Sequence, residues 1–512
     1  MLTRLKVSGF KNLVDVDVRF GPFTCIAGGN GVGKSNLFDA IRFLSDLAHK
    51  SLIDAALSVR GEADKLADVR RLFHHANGDY TKTISFEAEM IIPTIGKNIF
   101  GQKVKADATF LRYKLVIGYR ENVKQQTPNV LEIIEEELTP IMPEYVITHS
   151  GFLREGENLF NDVLVNKNEL PLLLTKEEGG ARVLVLPRNY SEIEGEQWLP
   201  LSDIFNTGLS ISRYVLGGTG ELVCQEMQSW RVYNWEPSAL REPSVITKPA
   251  YLGADGSQLA AAIYRIAQNF ADAPLDNNGD KREASQMYQF FANRLSALIG
   301  DVHRLRVDYE EASERYTLWI TGRDGTEYNA RSLSDGTLRF LAYAAFVFDD
   351  EAKGVLCFEE PENGLHPERI TALLELLQHI VVDVNEPIGP DNPLRQVIIT
   401  THSPGVVQQI PADSLILAEL RERPNNGKSF KYVGFSALPN TWRTAGEDDS
   451  KRFSRGVLLP YFNPSPYRWQ EEKDEADETA SKNGNETQPT ETIRVMDRPD
   501  LQRIAPWNYC EK

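Results

Sequence analysis

The first residues of the chain alternate apolar and polar side chains with a period of two. Val16, Val18 and Phe20 are apolar, and the residues between them are charged. This alternation is typical of β-strands that have one face on a core and the other in water. The pattern returns between about 80 and 140, so this part of the chain is predicted to form an antiparallel β lobe.

Three short runs are apolar without alternation, at 23–27, 355–358 and 397–400. Continuous apolar runs of this length are typical of parallel strands that are buried on both faces. After the first run, the apolar residues from Leu37 to Leu47 fall on one face of a helix. The sequence therefore predicts an α/β fold in which a buried sheet is joined to an antiparallel β lobe.

The middle of the chain has a weaker pattern. Residues 150–250 are irregular and rich in Pro, Gly and Asn. Further elements are predicted as helices at 258–270, 284–299 and 337–348 and as a β-hairpin at 304–328 with a turn at Asp324-Gly325. No sustained heptad of apolar residues is present, so long coiled-coil arms are not expected.

Composition narrows the class of protein. The 512 residues are 41% apolar, enough for a sizeable core. No run approaches the roughly 18 apolar residues of a membrane helix, and the first residues lack the apolar stretch of a signal peptide. The four cysteines form no CxxC pair, which fits a reducing cytosol, so a cytoplasmic protein is expected. The net charge of −17 argues against a bulk basic nucleic-acid coat but leaves a local basic groove open.

A glycine-rich loop joins the first buried strand to the first helix, and it reads Gly28-Gly29-Asn30-Gly31-Val32-Gly33-Lys34-Ser35. Its glycines allow backbone N–H groups to face phosphate oxygens, and the helix N-terminus adds a positive dipole. Lys34 is expected at the β- and γ-phosphates and Ser35 at Mg²⁺. A chance glycine turn is the alternative, but the strand before the loop and the helix after it argue against that interpretation.

Two carboxylates, Glu359 and Glu360, end the second apolar run. This places them at the carboxyl edge of the sheet, where nucleotides bind in α/β folds. One acid there suits the Mg²⁺ shell, and a second can polarise a water for attack on the γ-phosphate. Taken alone, the pair is as compatible with a solvated acidic turn, and only the glycine loop favours the catalytic interpretation.

Two further positions offer groups to an anion. Ser334 and Gly336 stand at a predicted helix start, although taken alone they are better explained as a plain N-cap. His402 follows the third apolar run, where an imidazole can donate a hydrogen bond to the γ-phosphate and report its loss. A histidine at a strand end is, by itself, more often structural.

The order of these elements is the linear order of an ABC ATPase. The chain resembles the ABC superfamily, and within it the SMC/RecF/OLD-like branch of stand-alone ATPases. The resemblance covers roughly 1–140 and 300–420. It rests on Gly9-Phe10-Lys11, Gly33-Lys34-Ser35-Asn36, Leu333-Ser334-Asp335-Gly336-Thr337, Glu359-Glu360-Pro361-Glu362-Asn363-Gly364-Leu365-His366-Pro367 and Thr401-His402-Ser403-Pro404.

The resemblance implies a homodimer or higher oligomer in which two heads close around two ATP-Mg²⁺. The loop of one head and the S-x-G motif of the other then enclose the same ATP, so Ser334 and Gly336 act across the interface. Glu360 is the implied general base, and His402 senses the γ-phosphate. The implied nucleotide contacts are Gly28, Asn30, Gly31, Gly33, Lys34, Ser35, Asn36, Ser334 and Gly336, and the implied metal ligands are Ser35 and Glu359.

Two departures from the family leave questions open. The metal acid of the family is usually Asp, so the division of roles between Glu359 and Glu360 is not fixed. The glutamine of the family that also binds Mg²⁺ is not placed, because no Gln in 81–130 ends a strand. The loop 362–366 would link the two sites, and His366 is interpreted as structural.

The resemblance also implies a division of the chain. The predicted parts are the N-terminal half of the head with the P-loop and β lobe at 1–140, an inserted irregular and helical region at 141–300, the C-terminal half of the head at 301–440, a linker at 441–490 and a docking peptide at 491–512. The stretch 471–490 is acidic and is predicted to be disordered. A frayed tail is the alternative for 491–512.

Two roles are compatible with these features. One is an anti-phage defence ATPase similar to the Septu-system ATPase, which regulates a separate HNH-type nuclease and, with a retron, a reverse transcriptase and its RNA–DNA product. No nuclease domain is expected in this chain, because no D-x-D follows the possible strand at 415–420. The other role is a RecF-like DNA clamp, for which Arg70, Arg71, Lys103 and Lys105 offer modest basic candidates. A subunit of an ABC transporter is a weaker third option.

Overall fold

The structure is a computed structural model of the chain. It describes residues 1–59, 68–120, 130–142, 165–166, 170–178, 181–186, 197–200, 206–212, 216–274, 281–389, 391–425, 428–444, 458 and 461. The strands are β1 Leu2–Ser8, β2 Val16–Arg19, β3 Phe23–Ala27, β4 His75–Ala76, β5 Asp79–Tyr80, β6 Thr83–Ile91, β7 Ile95–Lys97, β8 Lys103–Lys105, β9 Phe110–Arg120, β10 Val130–Pro140, β11 Leu173–Glu178, β12 Ala181–Leu186, β13 Gln197–Pro200, β14 Arg231–Tyr233, β15 Ser244–Val245, β16 Arg304–Glu310, β17 Arg315–Thr321, β18 Glu327–Asn329, β19 Gly354–Glu359, β20 Arg395–Thr401, β21 Leu415–Asn425 and β22 Lys428–Ala437. The helices are α1 Lys34–Leu47, α2 Leu52–Ser58, α3 Gly208–Ser212, α4 Gly217–Gln228, α5 Pro237–Arg241, α6 Leu259–Asp272, α7 Ala284–Ile299, α8 Asp335–Phe348, α9 Ile370–Ile380 and α10 Pro404–Gln409.

A six-stranded sheet carries the three apolar runs at its centre, in the order β14-β19-β20-β3-β21-β22. Its first five strands are parallel, and β22 pairs with β21 in the antiparallel direction. Alternate residues of the central strands belong to two different cores: Ile26 and Ile398 lie in one, and Cys25 and Ile399 in the other. Burial on both faces explains why these strands are apolar without alternation.

One face of this sheet is covered by the antiparallel lobe together with α1. The lobe is a sheet of eight strands in the order β13-β12-β11-β10-β9-β6-β1-β2. Its inward residues, such as Leu5, Phe86 and Leu115, are fully buried, and the residues between them are more exposed. The predicted fold class, an α/β head with a buried P-loop sheet and an antiparallel β lobe, is confirmed.

The other face is covered by helices α6 to α9. Helix α7 has the predicted bounds, and α6 begins one residue after the predicted start because Gln258 has a left-handed backbone with φ of 68°. Helix α8 begins at Asp335, two residues before the predicted start, since Ser334 serves as its N-cap. The predicted hairpin at 304–328 contains three strands, with an additional turn between β16 and β17.

The segment predicted as an inserted irregular and helical region, 141–300, contributes strands to both large sheets. Strands β11 to β13 extend the antiparallel lobe, and β14 pairs with β19 at the edge of the parallel sheet. The region is therefore integrated with the head. Strands of only three to six residues carry too short a pattern to be seen among the Pro and Gly of this segment.

The described part of the predicted linker is packed against the head. Arg443 is buried and donates to the carbonyl of Arg19 and to Thr24 Oγ1, at 3.0 and 2.9 Å. Burial lowers the pKa of this guanidinium to about 9. Leu458 is also fully buried in the helical core. The prediction of a linker that begins at 441 is therefore wrong for these residues, because their side chains are buried in the head.

Some predictions lie outside the described residues. These are the acidic stretch at 471–490, the docking peptide at 491–512, and Cys510. Cys25, Cys224 and Cys357 are buried free thiols. Among the described residues, no helix combines the length and apolar character needed to cross a membrane.

Candidate nucleotide site

Three parallel strands bring the predicted site residues to one edge of the sheet. The P-loop follows β3, Glu359 ends β19 with Glu360 directly after it, and His402 follows β20. These strands are direct neighbours, with Glu359 opposite Thr400 and Thr401 opposite Ala27. Because the strands are parallel, their carboxyl ends meet, and residues more than 300 positions apart form one site.

The P-loop presents an uncapped helix N-terminus. Gly33 is the N-cap of α1 with φ of 115°, no side chain caps the helix, and its first turn contains no acidic residue. The first N–H groups of α1 are therefore available to an anion, which the helix dipole also favours. Two features require glycine at position 33. Its φ is left-handed, and a Cβ there would lie 2.3 Å from Asn12 Nδ2.

Asn12 holds the loop from the side. Its Nδ2 donates to the carbonyl of Val32 at 3.0 Å, and its Oδ1 accepts from Asn36 Nδ2 at 2.7 Å. Asn36, predicted as a nucleotide contact, thus uses its amide to fix the loop through Asn12. The sequence analysis missed Asn12, although it directly follows the Gly9-Phe10-Lys11 segment that carried the resemblance.

Lys34 is enclosed by the loop that it ends. Its Nζ donates to the carbonyls of Gly28 and Gly29 at 2.6 and 2.9 Å, and the residue is 7% exposed. Burial lowers the pKa of this ammonium group, and the carboxylates of Glu360, Glu362 and Glu359 oppose that effect. The cation therefore lies where carbonyl oxygens and phosphate oxygens compete for it.

Glu360 is held in a specific orientation. Its backbone has a left-handed φ of 46°, which is rare for a residue with a side chain and is typical of functional sites. Its Oε1 is 2.8 Å from His402 Nδ1, and its Oε2 accepts from Asn363 Nδ2 at 2.7 Å. Burial raises the pKa of this carboxyl, but the hydrogen bonds from Asn363 and His402 outweigh burial, so the pKa is lowered.

Ser334 and Gly336 contact other parts of the chain. Ser334 Oγ accepts from the N–H of Thr337 at 3.2 Å, so it does cap α8. A Cβ at Gly336 would lie 2.9 Å from the carbonyl oxygen of Gly364, so this helix start packs on the loop that follows Glu360. The hydrogen bonds of Arg241 to Asp335 and to the carbonyl of Leu333 fix the S-x-G segment from α5.

Two family models match this chain. Residues 227–408 match a model described as an AAA domain, putative AbiEii toxin, Type IV TA system, and residues 4–158 match a model described as an AAA domain. Each model covers less than half of the chain, so these two segments are similar to AAA domains. Both matches contain residues of the site, since the first includes Glu360 and His402 and the second includes the P-loop.

The chain is also similar to curated proteins named DNA replication and repair protein RecF. The protein from Porphyromonas gingivalis is 36% identical over 81 residues, which are 15% of this chain and 22% of the relative. The protein from Paenarthrobacter aurescens is 27% identical over 158 residues, 30% and 39% of the two chains. The chain thus spans less than half the length of these relatives.

Solved SMC heads resemble the chain more remotely. An SMC head bound to the C-winged helix domain of ScpA is 13% identical with a TM-score of 0.41, over 85% of this chain and 98% of that one. The SMC head domain from Thermotoga maritima is 12% identical with a TM-score of 0.33, over 85% and 98%.

Asn234 lies at the same edge of the sheet, and the sequence analysis missed it. It follows β14, whose register pairs Tyr233 with Phe358, so Asn234 comes level with Glu359 at the edge of the sheet. Asn234 is exposed, and its backbone N–H donates to the carbonyl of Ala254 at 2.9 Å. The sequence analysis looked for the glutamine of the family in 81–130. The strand that pairs with β19 is β14, which begins more than 100 residues after that range.

Two clefts flank the P-loop. A cleft of about 480 Å³ on the His402 side includes Gly28, Asn30, His402 and Tyr461 in its lining. A cleft of about 350 Å³ on the Asn12 side is cationic and aromatic, with Lys11, Arg71, Phe73, His74, His75, Tyr80 and Lys431. Arg70 is paired with Asp68 at 2.7 Å, so its charge is largely neutralised.

Proposed function

We propose that this protein is an ATP-hydrolysing switch whose heads close as a dimer around two ATP-Mg²⁺. The observation that carries the proposal is the convergence of the P-loop, Glu359, Glu360 and His402 on one sheet edge. Ser334 and Asp335, in contrast, are held by α8 and Arg241. Among the described residues, no hydrogen bond joins this S-x-G helix start to the P-loop. Such an arrangement is explained if the helix start completes the site of a second copy.

The residues at the sheet edge fit Mg²⁺ held together with nucleotide. Ser35 offers a hydroxyl, Glu359 a carboxylate and Asn234 an amide oxygen, all of which are hard oxygen ligands. Among the described residues, no group of three or more His, Cys, Asp or Glu is arranged to hold a metal ion alone. Mg²⁺ in nucleotide sites takes one or two protein carboxylates and completes its shell with phosphate and water. Bound Mg²⁺ would neutralise charge that develops on the phosphates.

Different groups of the protein then contribute to different parts of ATP hydrolysis. The N–H groups of the P-loop and Lys34 orient the phosphates, and Glu360 accepts the proton of the attacking water. His402, which is hydrogen-bonded to Glu360, would contact the γ-phosphate. With the γ-phosphate on the Glu360 side, the base lies toward the Asn12 side, where aromatic and cationic side chains can stack on it.

Replacing Asn234 tests the assignment of the metal site. We expect Asn234→Ala to raise the Mg²⁺ concentration for half-maximal turnover by about 10-fold, because ligand-shell mutations cost about 10- to 100-fold in metal affinity. Turnover at saturating Mg²⁺ should recover most of its value. The measurement is a Mg²⁺ titration of ATPase rate, with the exposed Asn385→Ala as a matched control. An unchanged Mg²⁺ requirement would remove Asn234 from the site.

Mixing two inactive variants tests the composite dimer. Lys34→Ala destroys the P-loop half of a site, and Ser334→Arg blocks the half supplied by the partner. Each variant alone should be inactive. An equimolar mixture should recover about one quarter of wild-type turnover, because half of the dimers are mixed and each has one intact site of two.

The control for this recovery is a mixture in which both substitutions are on the same chain. In mixed dimers of wild type with Lys34→Ala/Ser334→Arg, every site shared by two chains lacks either Lys34 or Ser334. These mixed dimers are therefore active only if one chain by itself completes a site. If the two single variants fail to complement each other although both fold and mix, each chain contains a complete site and the dimer model is wrong.

Two wider roles remain proposals. The first is regulation of a separate effector, such as an HNH-type nuclease of a Septu-like defence system, alone or with a reverse transcriptase and its RNA–DNA product. The matched model's description as a putative toxin of a toxin–antitoxin system is compatible with such an effector system. The second role is a RecF-like clamp on DNA, which the similarity to RecF favours.

A tagged pull-down from the native host, followed by mass spectrometry, separates these roles. A stoichiometric nuclease in the eluate supports the effector role. Recombination or replication proteins without a nuclease support the clamp, and a fall of DNA affinity with salt should then follow.

A further inference from the structure

A buried carboxyl lies directly behind the proposed catalytic pair. Glu362 is 8% exposed, and its charge affects the pKa values of Lys34, Cys25 and Tyr343, which belong to three different elements. Thr401, the last residue of β20, donates a hydrogen bond to it, so Glu362 lies against the carboxyl edge of the parallel sheet. Neither the general base nor the metal assignment uses this residue.

Glu362 is bonded to the strand that carries His402. Thr401 Oγ1 donates to Glu362 Oε1 and accepts from the N–H of Ser403, the latter at 2.9 Å. The Thr401 hydroxyl thus uses its donor and one acceptor site at the same time. Since Thr401 and Ser403 flank His402, this chain of hydrogen bonds fixes the backbone on both sides of the imidazole.

The bond of Glu362 is the second of two parallel links. Glu360 is hydrogen-bonded to His402, and Glu362 is hydrogen-bonded to Thr401. Two carboxyls of the turn after β19 therefore hold two successive residues at the end of β20. The outer link is exposed to the cleft, whereas the inner link is buried. An inner link of this kind sets the distance and angle at which the outer pair meets.

Glu362 is costly as a purely structural anchor. Among the described residues, its Oε2 is buried without a hydrogen-bond partner. A buried unsatisfied oxygen destabilises a fold, and such atoms are uncommon in native proteins. The presence of a carboxyl at this buried position is explained if the position of the turn matters for the reaction.

We propose that Glu362 is a positioning residue for ATP hydrolysis, which holds Thr401 and thereby the turn that presents His402 to Glu360. This inference rests on the proposed function, since it concerns the rate of the same site. It predicts an effect on kcat rather than on nucleotide binding, because Glu362 is buried below the cleft and contacts the site through Thr401.

The test compares kcat and KM for ATP in four variants. Glu362→Ala and Thr401→Val, which each remove the inner link, should lower kcat about 10- to 100-fold, the usual cost of a small misplacement of a reacting group. KM should stay within about 3-fold of wild type. Glu362→Gln keeps an oxygen for Thr401 and should retain most of kcat. Glu368→Ala, which removes an exposed carboxyl of the following turn, is the matched control.

A double-mutant cycle with His402→Ala decides whether Glu362 acts through the imidazole. Adding Glu362→Ala to His402→Ala should lower kcat by less than about 2-fold further, because the two act as one unit. Full additivity would overturn the inference, as would a normal kcat in folded Glu362→Ala, or a raised KM with unchanged kcat. If Glu362→Ala does not fold, Thr401→Val gives the same decision.

Failure of this inference differs from failure of the proposed function. If wild type shows ATP turnover that Lys34→Ala abolishes, and Glu362→Ala and Thr401→Val leave it unchanged, only the role of Glu362 is wrong. If wild-type turnover is absent or does not depend on Lys34, the ATPase assignment itself fails, and the inference fails with it.

Discussion

Lys34→Ala should lower ATP affinity and turnover by at least about 100-fold, the usual effect of removing one preorganised electrostatic donor. Lys34 is the cation among three carboxylates, Glu359, Glu360 and Glu362, that influence its pKa. Without it, the incoming phosphates would meet uncompensated negative charge, so repulsion adds to the lost attraction. ATP-dependent dimerisation should disappear for the same reason.

The measurements for Lys34→Ala are calorimetric ATP binding and size-exclusion chromatography with and without ATP-Mg²⁺. Lys50→Ala is the matched control, since its ammonium group follows the same helix but is 34% exposed and pairs with Asp46 at 2.8 Å. The control should bind ATP normally. A Lys34→Ala protein that still dimerises with ATP would show that the nucleotide site has been assigned wrongly.

Glu360→Gln should lower kcat by at least about 100-fold while ATP still binds, because a general base contributes about 10²- to 10⁴-fold to such rates. The amide has nearly the shape of the carboxyl, and its oxygen can still accept one hydrogen bond from His402 or Asn363. The ATP-bound dimer should therefore accumulate. This is measured as a stable dimer peak with ATP, together with single-turnover hydrolysis.

Glu359→Gln is the comparison that distinguishes the role of Glu359 from the role of Glu360. If Glu359 belongs to the metal shell, its variant should shift the Mg²⁺ requirement as well as the rate. Normal turnover in Glu360→Gln would contradict the assignment and move the general base to Glu359. The left-handed backbone of Glu360 and its two side-chain hydrogen bonds favour the present division.

Local pattern was sufficient for the elements that carry the phosphate chemistry. The three continuous apolar runs became β3, β19 and β20 within a residue or two, because a strand buried on both faces must be apolar throughout. The glycine loop was equally legible, since left-handed φ at Gly31 and Gly33 admits few other residues. The predicted site residues around the loop, the acids and His402 are brought together at one edge.

Tertiary structure decided the supporting residues. Strand β14 has three residues and no periodicity, and only its pairing with β19 brings Asn234 level with Glu359. Asn12 acquires its role from a loop that begins 16 residues later, and Glu362 from Thr401, 39 residues away. The packed residues Arg443 and Leu458 likewise lie in a stretch whose composition indicated a linker.

The sequence by itself determined the strand–loop–helix, the acidic strand end and the order of the motifs. The structure alone decided which polar residues from distant segments complete the sheet edge and hold its catalytic pair in place. The physical reason is that periodicity and turn chemistry act between near neighbours, whereas strand order, register and buried hydrogen bonds depend on contacts between segments far apart in the chain.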